Sequence, residues 1–313
     1  MTQPYEERTA LLGVDIGGTK TAAVLFDANH RPRVRLQAPT PAHRGADAVA
    51  AQALELAAQA LSRATEHELR VANVGIGTAG TVGRDSRTIT FATSALPGWA
   101  GTPLADLAEQ RLGLPAKLIG DVQAFLMGEI AAGAATGAAS AVAVMAGTGI
   151  GGAVSVGGDV LLGSHGAAGS LGHLPVPTAA GLTCPCGARG HVEAVASGPA
   201  MTARYNDLAD ATATNLHDIA AAAAAGDMLA QRVLTAGGTA LGEALAAVTA
   251  VVDCDVIIVE GGVLHSGPWY GQALRKRITS CALPLLRDVT VVPAALGADA
   301  VALGAAVHAT RLL

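Results

Sequence analysis

"LLGVDIGGTKTAAVLFDANHRP", residues 11–32, sets the reading of the whole chain. An apolar strand is predicted over 10–16. It runs into a turn at Gly17-Gly18, and a second apolar strand returns over 21–27 before a new turn at Asn29 and His30. The same form recurs as "AVAVMAGTGIGGAVSVGGDVLLG", residues 141–163. Strand, small-residue turn with threonine and strand follow one another in both. The copies lie about 130 residues apart, the spacing of a duplicated domain. Outward from these hairpins, a helix is predicted over 46–69, with Val49, Ala53, Ala57, Ala60 and Leu61 on one face. Strands are predicted over 71–77 and 116–120, then a helix over 122–135. Beyond residue 190, helices over 191–209, 217–225, 227–252 and 269–281 accompany strands over 256–262 and 289–292. A last helix is predicted from 297 to 311. The alternation is that of an α/β protein.

Length and composition agree with two domains. A chain of 313 residues is long for one core, and 51% of it is apolar. Aromatic residues make up only 3%, so alanine, valine and leucine must fill the interior. Charged residues are 14% and the net charge is −5, which leaves no basic field for nucleic acid. No apolar run is expected to reach membrane-spanning length, and the first residues lack the basic start of a secretion signal. Cys254 and Cys281 read as isolated, buried small hydrophobes, and a reduced, cytoplasmic protein is expected.

Two stretches satisfy G-x-G-x-x-G, "GIGTAG" (75–80) and "GTGIGG" (147–152). A dinucleotide site needs a helix directly after the glycines, and strand or turn follows both here. No Gly-Lys dipeptide exists, which removes a Walker loop. What remains is a pair of hairpins, "DIGGTK" (15–20) and "GTGIGG". They are either plain tight turns or phosphate cradles built from backbone N–H groups and threonine hydroxyls. A second cluster stands out in "GHLPVPTAAGLTCPCGARGHVE" (172–193), which holds His173, Cys184, Cys186 and His191. It could be a catalytic metal centre, a structural staple or an accident of composition.

Together "GVDIGGTK", "GTGIGG", "GH…CPCGARGHVE…SG", "EGGV" (260–263) and "LGADAVALGAA" (296–306) resemble the ROK family of sugar kinases and sugar-responsive repressors. That family belongs to the actin, hexokinase and Hsp70-ATPase superfamily. The resemblance implies two RNase-H-like (actin-like ATPase) α/β domains flanking a central cleft. The smaller domain would comprise residues 1–120 plus the C-terminal helix 297–313. The larger, 121–296, would carry a zinc-binding loop. It further implies a homodimer or homotetramer.

Carried over by motif, Asp15, Gly17, Gly18 and Thr19 would bind the Mg-ATP phosphates, with Lys20 adding charge. Thr148 and Gly149 would form the second phosphate loop, and Gly261 and Gly262 the adenosine pocket. Asp121 would be the general base, taking the proton of a substrate hydroxyl as it attacks the γ-phosphate. Read from its surroundings alone, Asp121 is also an ordinary helix N-cap. Gly80, Gly120, Ser170, His173 and Glu193 would line the acceptor. Cys184, Cys186, His191 and His173 match the family's zinc ligands, with histidine in place of the last cysteine. Four protein ligands close a tetrahedral site, so this Zn²⁺ would be structural.

Three positions depart from the family pattern. Gly120 stands where asparagine is usual, Ser170 where glutamate is usual, and Ala95 where asparagine is usual. A hydrogen bond contributes roughly 0.5–1.5 kcal/mol, or about 1.5–3 to a charged group. Their combined loss would weaken glucose binding by a few kcal/mol and leave a roomier pocket. A modified sugar or a C7-cyclitol is therefore the expected acceptor. A repressor is disfavoured, since the first phosphate motif begins at Asp15. A sugar sensor without catalysis is disfavoured by Asp121 and the two phosphate loops.

Overall fold

The computed structural model describes residues 9–92 and 96–311, so Ala95 lies outside the described residues. The chain forms two compact units. One holds the chain up to Gly137, Val160–Ala168 and everything from Ala294 on, and the other holds Ala138–Asp159 and Gly169–Pro293.

In the first unit, β1 (Thr9–Ile16), β2 (Lys20–Asp27) and β3 (Pro32–Pro39) lead into α1 (Ala46–Glu66). Then come β4 (Arg70–Thr78), the short β5 (Thr81–Val82) and β6 (Ile89–Phe91), α2 (Leu104–Leu112), β7 (Ala116–Gly120) and α3 (Asp121–Ala132). The sheet order is β3-β2-β1-β4-β7. β2 is antiparallel to β1 and β3, whereas β4 runs parallel to both β1 and β7. Two elements have no counterpart among the expected ones. β3, "PRVRLQAP", alternates exposed and half-buried positions as an edge strand does, so it offers no apolar run. α2 is short and buries only Leu104, Ala105 and Ala108. α1 buries the expected face at Val49, Ala53, Ala57 and Ala60.

The second unit repeats the plan. β8 (Ser140–Ala146), β9 (Ile150–Val156) and β10 (Asp159–Val160) precede the helices α4 (Glu193–Ala196), α5 (Gly198–Ala209), α6 (Leu216–Ala224) and α7 (Met228–Val252). β11 (Val256–Glu260), α8 (Pro268–Cys281) and β12 (Thr290–Pro293) complete it. Its sheet order, β10-β9-β8-β11-β12, has the same antiparallel hairpin followed by parallel neighbours. The helix expected over 191–209 is two helices. Ser197 caps the second, its Oγ accepting from the Ala200 N–H at 3.3 Å, and Pro199 enters the first turn with no amide to donate.

α7 corrects the expectation that no segment reaches membrane-spanning length: among the described residues it alone is long and apolar enough. More than half of that window, 56%, is buried in its own unit, where Leu234, Leu241 and Leu245 sit fully within the core. It is accounted for as a core helix.

After β12 the chain re-enters the first unit. The C-terminal helix begins as a 3-10 turn (Gly297–Asp299) and continues as α9 (Ala300–Thr310), which packs on α3, β1 and β4. That packing is backbone to backbone: a Cβ at Gly75 would overlap the Ala305 carbonyl, and one at Gly304 the Ala124 carbonyl. α3 therefore belongs with α9, and the first unit extends past the expected boundary at residue 120 to Gly137. The fully buried Glu129 of α3 accepts from the N–H groups of Ala134 (2.7 Å) and Leu296 (2.9 Å), where the chain leaves and rejoins this unit.

Candidate active site and cysteine–histidine cluster

β1 carries Asp15 to the end of the first sheet, one residue before the hairpin closes at the Ile16–Thr21 pair. The Gly17 N–H donates to the Lys20 carbonyl at 3.0 Å. Thr40, at the end of β3, braces the turn. Its N–H donates to the Thr19 carbonyl at 2.9 Å and its hydroxyl to the Gly17 carbonyl at 2.7 Å. Gly17 and Gly18 are half-buried, and Thr19 and Lys20 are exposed. Burial and then the neighbouring Asp121 push the Asp15 carboxyl up to about 7, against the pull of the Lys20 ammonium. The structure thus brings Asp15, Asp121 and Lys20 into one electrostatic neighbourhood.

Asp121 follows β7 directly and opens α3. The N-cap position belongs to Gly120, so the capping role read from the sequence is corrected: Asp121 is the first helical residue. Its Oδ1 accepts the Val122 N–H at 2.8 Å. Burial raises its pKa to about 6, against the pull of the backbone amides of Val122 and Asp121. A carboxylate tuned to that range is suited to accept a proton near neutral pH.

Gly120 has extended dihedrals (φ −60°, ψ 142°) open to any residue. A Cβ there would meet the Gln123 Oε1 at 3.1 Å. Gln123 was not singled out by spacing, yet it is almost fully buried and its amide donates to the Gly166 carbonyl at 3.2 Å. Trp99 of "ALPGW" is also fully buried, and its indole N–H donates to Thr78 Oγ1 at 2.9 Å. Thr78 pairs with Gly120 across the sheet. Gly80 follows β4 at φ +103°.

The second hairpin closes at the Ala146–Ile150 pair. Thr148 and Gly262 line a cavity of about 840 Å³ that lies wholly within the second unit, together with Thr202, Asn206, His217 and His265. That is the size of a small-molecule site. Gly261, beside it, has φ +116°, and a Cβ there would run into the Ala146 carbonyl, so only glycine fits. The walls from α5 and α6 carry no motif and come from a distant part of the sequence, which is why spacing did not reveal them. Asn215 and Asp218 secure that wall by a reciprocal capping box at the start of α6.

The cysteine–histidine loop is assembled by two antiparallel bridges, Pro175–His191 and Thr183–Arg189. Between them, a tight turn in which the Gly187 N–H donates to the Cys184 carbonyl presents Cys184 and Cys186. The ligand atoms of His173, Cys184, Cys186 and His191 all lie within 4.8 Å of one another. Cys184 Sγ is 3.7 Å from His173 Nδ1, and Cys186 Sγ is 3.3 Å from His191 Nδ1. These spacings suit the edges of a tetrahedron with metal bonds of about 2.0–2.3 Å, so the residues fit a zinc ion. Burial pushes the Cys184 thiol up to about 11, with Cys186 and Glu193 adding to it. Glu193 and Ser170 flank the cluster in sequence; Glu193 opens α4, and Ser170 is exposed.

Residues 11–311 match the ROK family. The chain belongs to the ROK family. It is 33% identical over 299 residues to an N-acetylmannosamine kinase of Citrobacter koseri, covering 95% of this chain and 98% of that one. Among solved structures, a ROK hexokinase of Thermus thermophilus superposes with a TM-score of 0.85 at 31% identity, covering 96% of this chain and 98% of that one. A ROK glucokinase of Streptomyces griseus, in complex with glucose and AMPPNP, gives 0.78 at 32% identity, covering 96% and 99%. The fold is that of the actin-like ATPases, and the enzyme class is that of the ROK carbohydrate kinases, ATP-dependent phosphotransferases with an alcohol acceptor.

Proposed function

We propose that this kinase transfers the γ-phosphate of ATP to a hydroxyl, the primary one, of a sugar or sugar-like polyol other than plain glucose. The observation that carries the specificity is Gly120. Its extended dihedrals do not demand glycine, and a side chain there would need only the Gln123 amide to shift by a few tenths of an ångström, so the missing polar group beside Asp121 is not a demand of the turn. Ser170, in the second unit, is likewise shorter than the glutamate usual at that position in the family. An acceptor with a bulkier substituent fits this reading, such as the acetamido sugar named for the Citrobacter relative. A C7-cyclitol is the second reading, favoured by the same loss of contacts to ring hydroxyls.

In this reading Asp121 takes the proton of the acceptor hydroxyl. That oxygen bonds to the γ-phosphorus as the bond to the ADP oxygen breaks. The N–H groups and hydroxyls around Gly17–Thr19 and Thr148–Gly149 hold phosphate oxygens, and Lys20 adds positive charge. Asp15 would face the Mg²⁺ that accompanies ATP, which neutralises phosphate charge when bound. Gly261 and Gly262 leave room for the adenosine in the cavity of the second unit. His173 and Glu193 bind the acceptor. Zn²⁺ on His173, Cys184, Cys186 and His191 would act as a structural staple for that loop.

The test is ADP release over a panel of glucose, mannose, N-acetylmannosamine and C7-cyclitols. Turnover fastest on an acceptor other than glucose is expected. A clear preference for glucose would refute the specificity, and folded protein that binds ATP but phosphorylates nothing would favour a sensor. Light scattering of the same preparation tests the homodimer or homotetramer that the family resemblance implies.

A further inference from the structure

Glu193 touches the phosphate hairpin. Its Oε2 accepts the N–H of Ile150 at 2.8 Å, and Ile150 is the residue that closes the hairpin against Ala146. The approach is close enough that a Cβ on Gly149 would stand 2.8 Å from the same oxygen. Glu193 itself stands on a fixed base. Val192 and Ala196 are fully buried, and the Ala196 carbonyl accepts the Tyr270 hydroxyl at 3.2 Å. The other shoulder of the hairpin is held from the same segment, since the Gly198 N–H donates to the Gly147 carbonyl at 2.9 Å. Oε1 makes no hydrogen bond among the described residues and is left for the acceptor.

We propose that Glu193 is the positioning residue of the second phosphate hairpin: one carboxylate oxygen fixes the Ile150 amide while the other meets the acceptor, so that acceptor and nucleotide binding are coupled through this side chain. The proposal rests on the reading that Thr148 and Gly149 hold nucleotide phosphate. A carboxylate next to a phosphate site repels it, and an acceptor ligand with no further role would on removal leave nucleotide affinity unchanged or improved. A residue that shapes the hairpin gives the opposite sign. One charge-assisted hydrogen bond corresponds to about tenfold in affinity at the lower end of its range.

The experiment is calorimetric titration of acceptor-free protein with Mg·AMPPNP, paired with hydrogen exchange of the Ile150 amide. Glu193→Ala and Glu193→Asp are compared with Glu193→Gln. Ala deletes the acceptor, Asp keeps the charge but withdraws it by one methylene, and Gln keeps both length and an accepting oxygen. Binding about tenfold weaker in Ala and Asp is expected, with Gln weakened less than either because its neutral oxygen still accepts, and Ile150 protection lost in Ala and Asp alone. Ala or Asp binding nucleotide as tightly as wild type, or more tightly, overturns the proposal. Failure of wild-type protein itself to bind Mg·AMPPNP would instead overturn the nucleotide reading of the hairpin. Glu193→Gln guards against a folding artefact, because it changes no packing volume.

Discussion

Replacing Asp121 by asparagine should do two opposite things. As the proton acceptor its loss costs about 10²–10⁴ in kcat, while Mg·ATP binding stays near wild type. At the same time the fold should gain stability at alkaline pH. Burial raises the folded-state pKa of Asp121 from 3.8 to about 6, so between those values the folded protein binds more protons than the unfolded chain. Stability from this group is therefore highest below pH 4 and falls as pH rises to 6. Above pH 6 the ionised carboxylate costs at most about 3 kcal/mol, reduced to about 1–3 because water still reaches a half-buried side chain. Asparagine, which cannot ionise, removes that cost. Urea unfolding at pH 8 should show the variant more stable by that amount, with the advantage roughly halved at pH 5. The wild-type kcat/KM should have an acidic limb with an apparent pKa near 6. Equal stability of the two proteins at pH 8, or turnover by the variant above a few per cent, would refute the assignment of a buried base.

Other expectations follow from single groups. His308 is almost fully buried, 3.2 Å from Ser86 Oγ, and burial depresses its pKa to about 4, helped by Lys117 and Arg311. Its neutral form stabilises the fold above pH 6.5, and up to about 3 kcal/mol should vanish as pH falls from 6.5 to 4. His308→Gln should flatten that slope in urea titrations. Elemental analysis should find one zinc per chain, and its removal by chelation should lower the melting temperature and weaken acceptor binding; full stability and activity without metal would contradict the staple. Gly120→Asn combined with Ser170→Glu should raise kcat/KM on glucose by about tenfold or more, given two restored polar contacts. No gain would place the specificity elsewhere.

Most of the first sheet was legible because β1, β2, β4 and β7 are apolar runs, with glycine ending β1 and β7 and the turn at Asn29 ending β2. β3 was not, since an edge strand with Arg33, Arg35 and Gln37 has no buried face to reveal itself. The break at Ser197-Gly198-Pro199 was hidden inside an otherwise helical pattern, although the cap and proline are both written there. The boundary between units failed for a different reason. α3 follows the strand that ends at residue 120, but its partner is α9, over 160 residues later, and periodicity carries no information about which helix a helix meets. Of the site, the hairpins and the cysteine–histidine spacing are local and could be read directly. Gln123 and the cavity walls from α5 and α6 depend on tertiary contacts, and no spacing rule reaches them.

The duplicated hairpin shows how one backbone device acquires two roles. In the first unit the turn is braced from its own sheet, by Thr40 at the end of β3, whose hydroxyl also meets Thr21 at 2.9 Å. Among the described residues of the second unit, no sheet side chain makes such a brace. The equivalent turn is held by Glu193 and Gly198, two residues of the segment that follows the cysteine–histidine loop. The first turn is supported by Thr40 through both its backbone N–H and its hydroxyl. The second takes its support from Glu193, the side chain proposed above to meet the acceptor as well. A change in the cysteine–histidine loop therefore has a short covalent and hydrogen-bonded path, through Glu193, to Ile150. The first turn is tied to the end of β4 instead, where the Ala79 N–H donates to the Ile16 carbonyl at 3.1 Å.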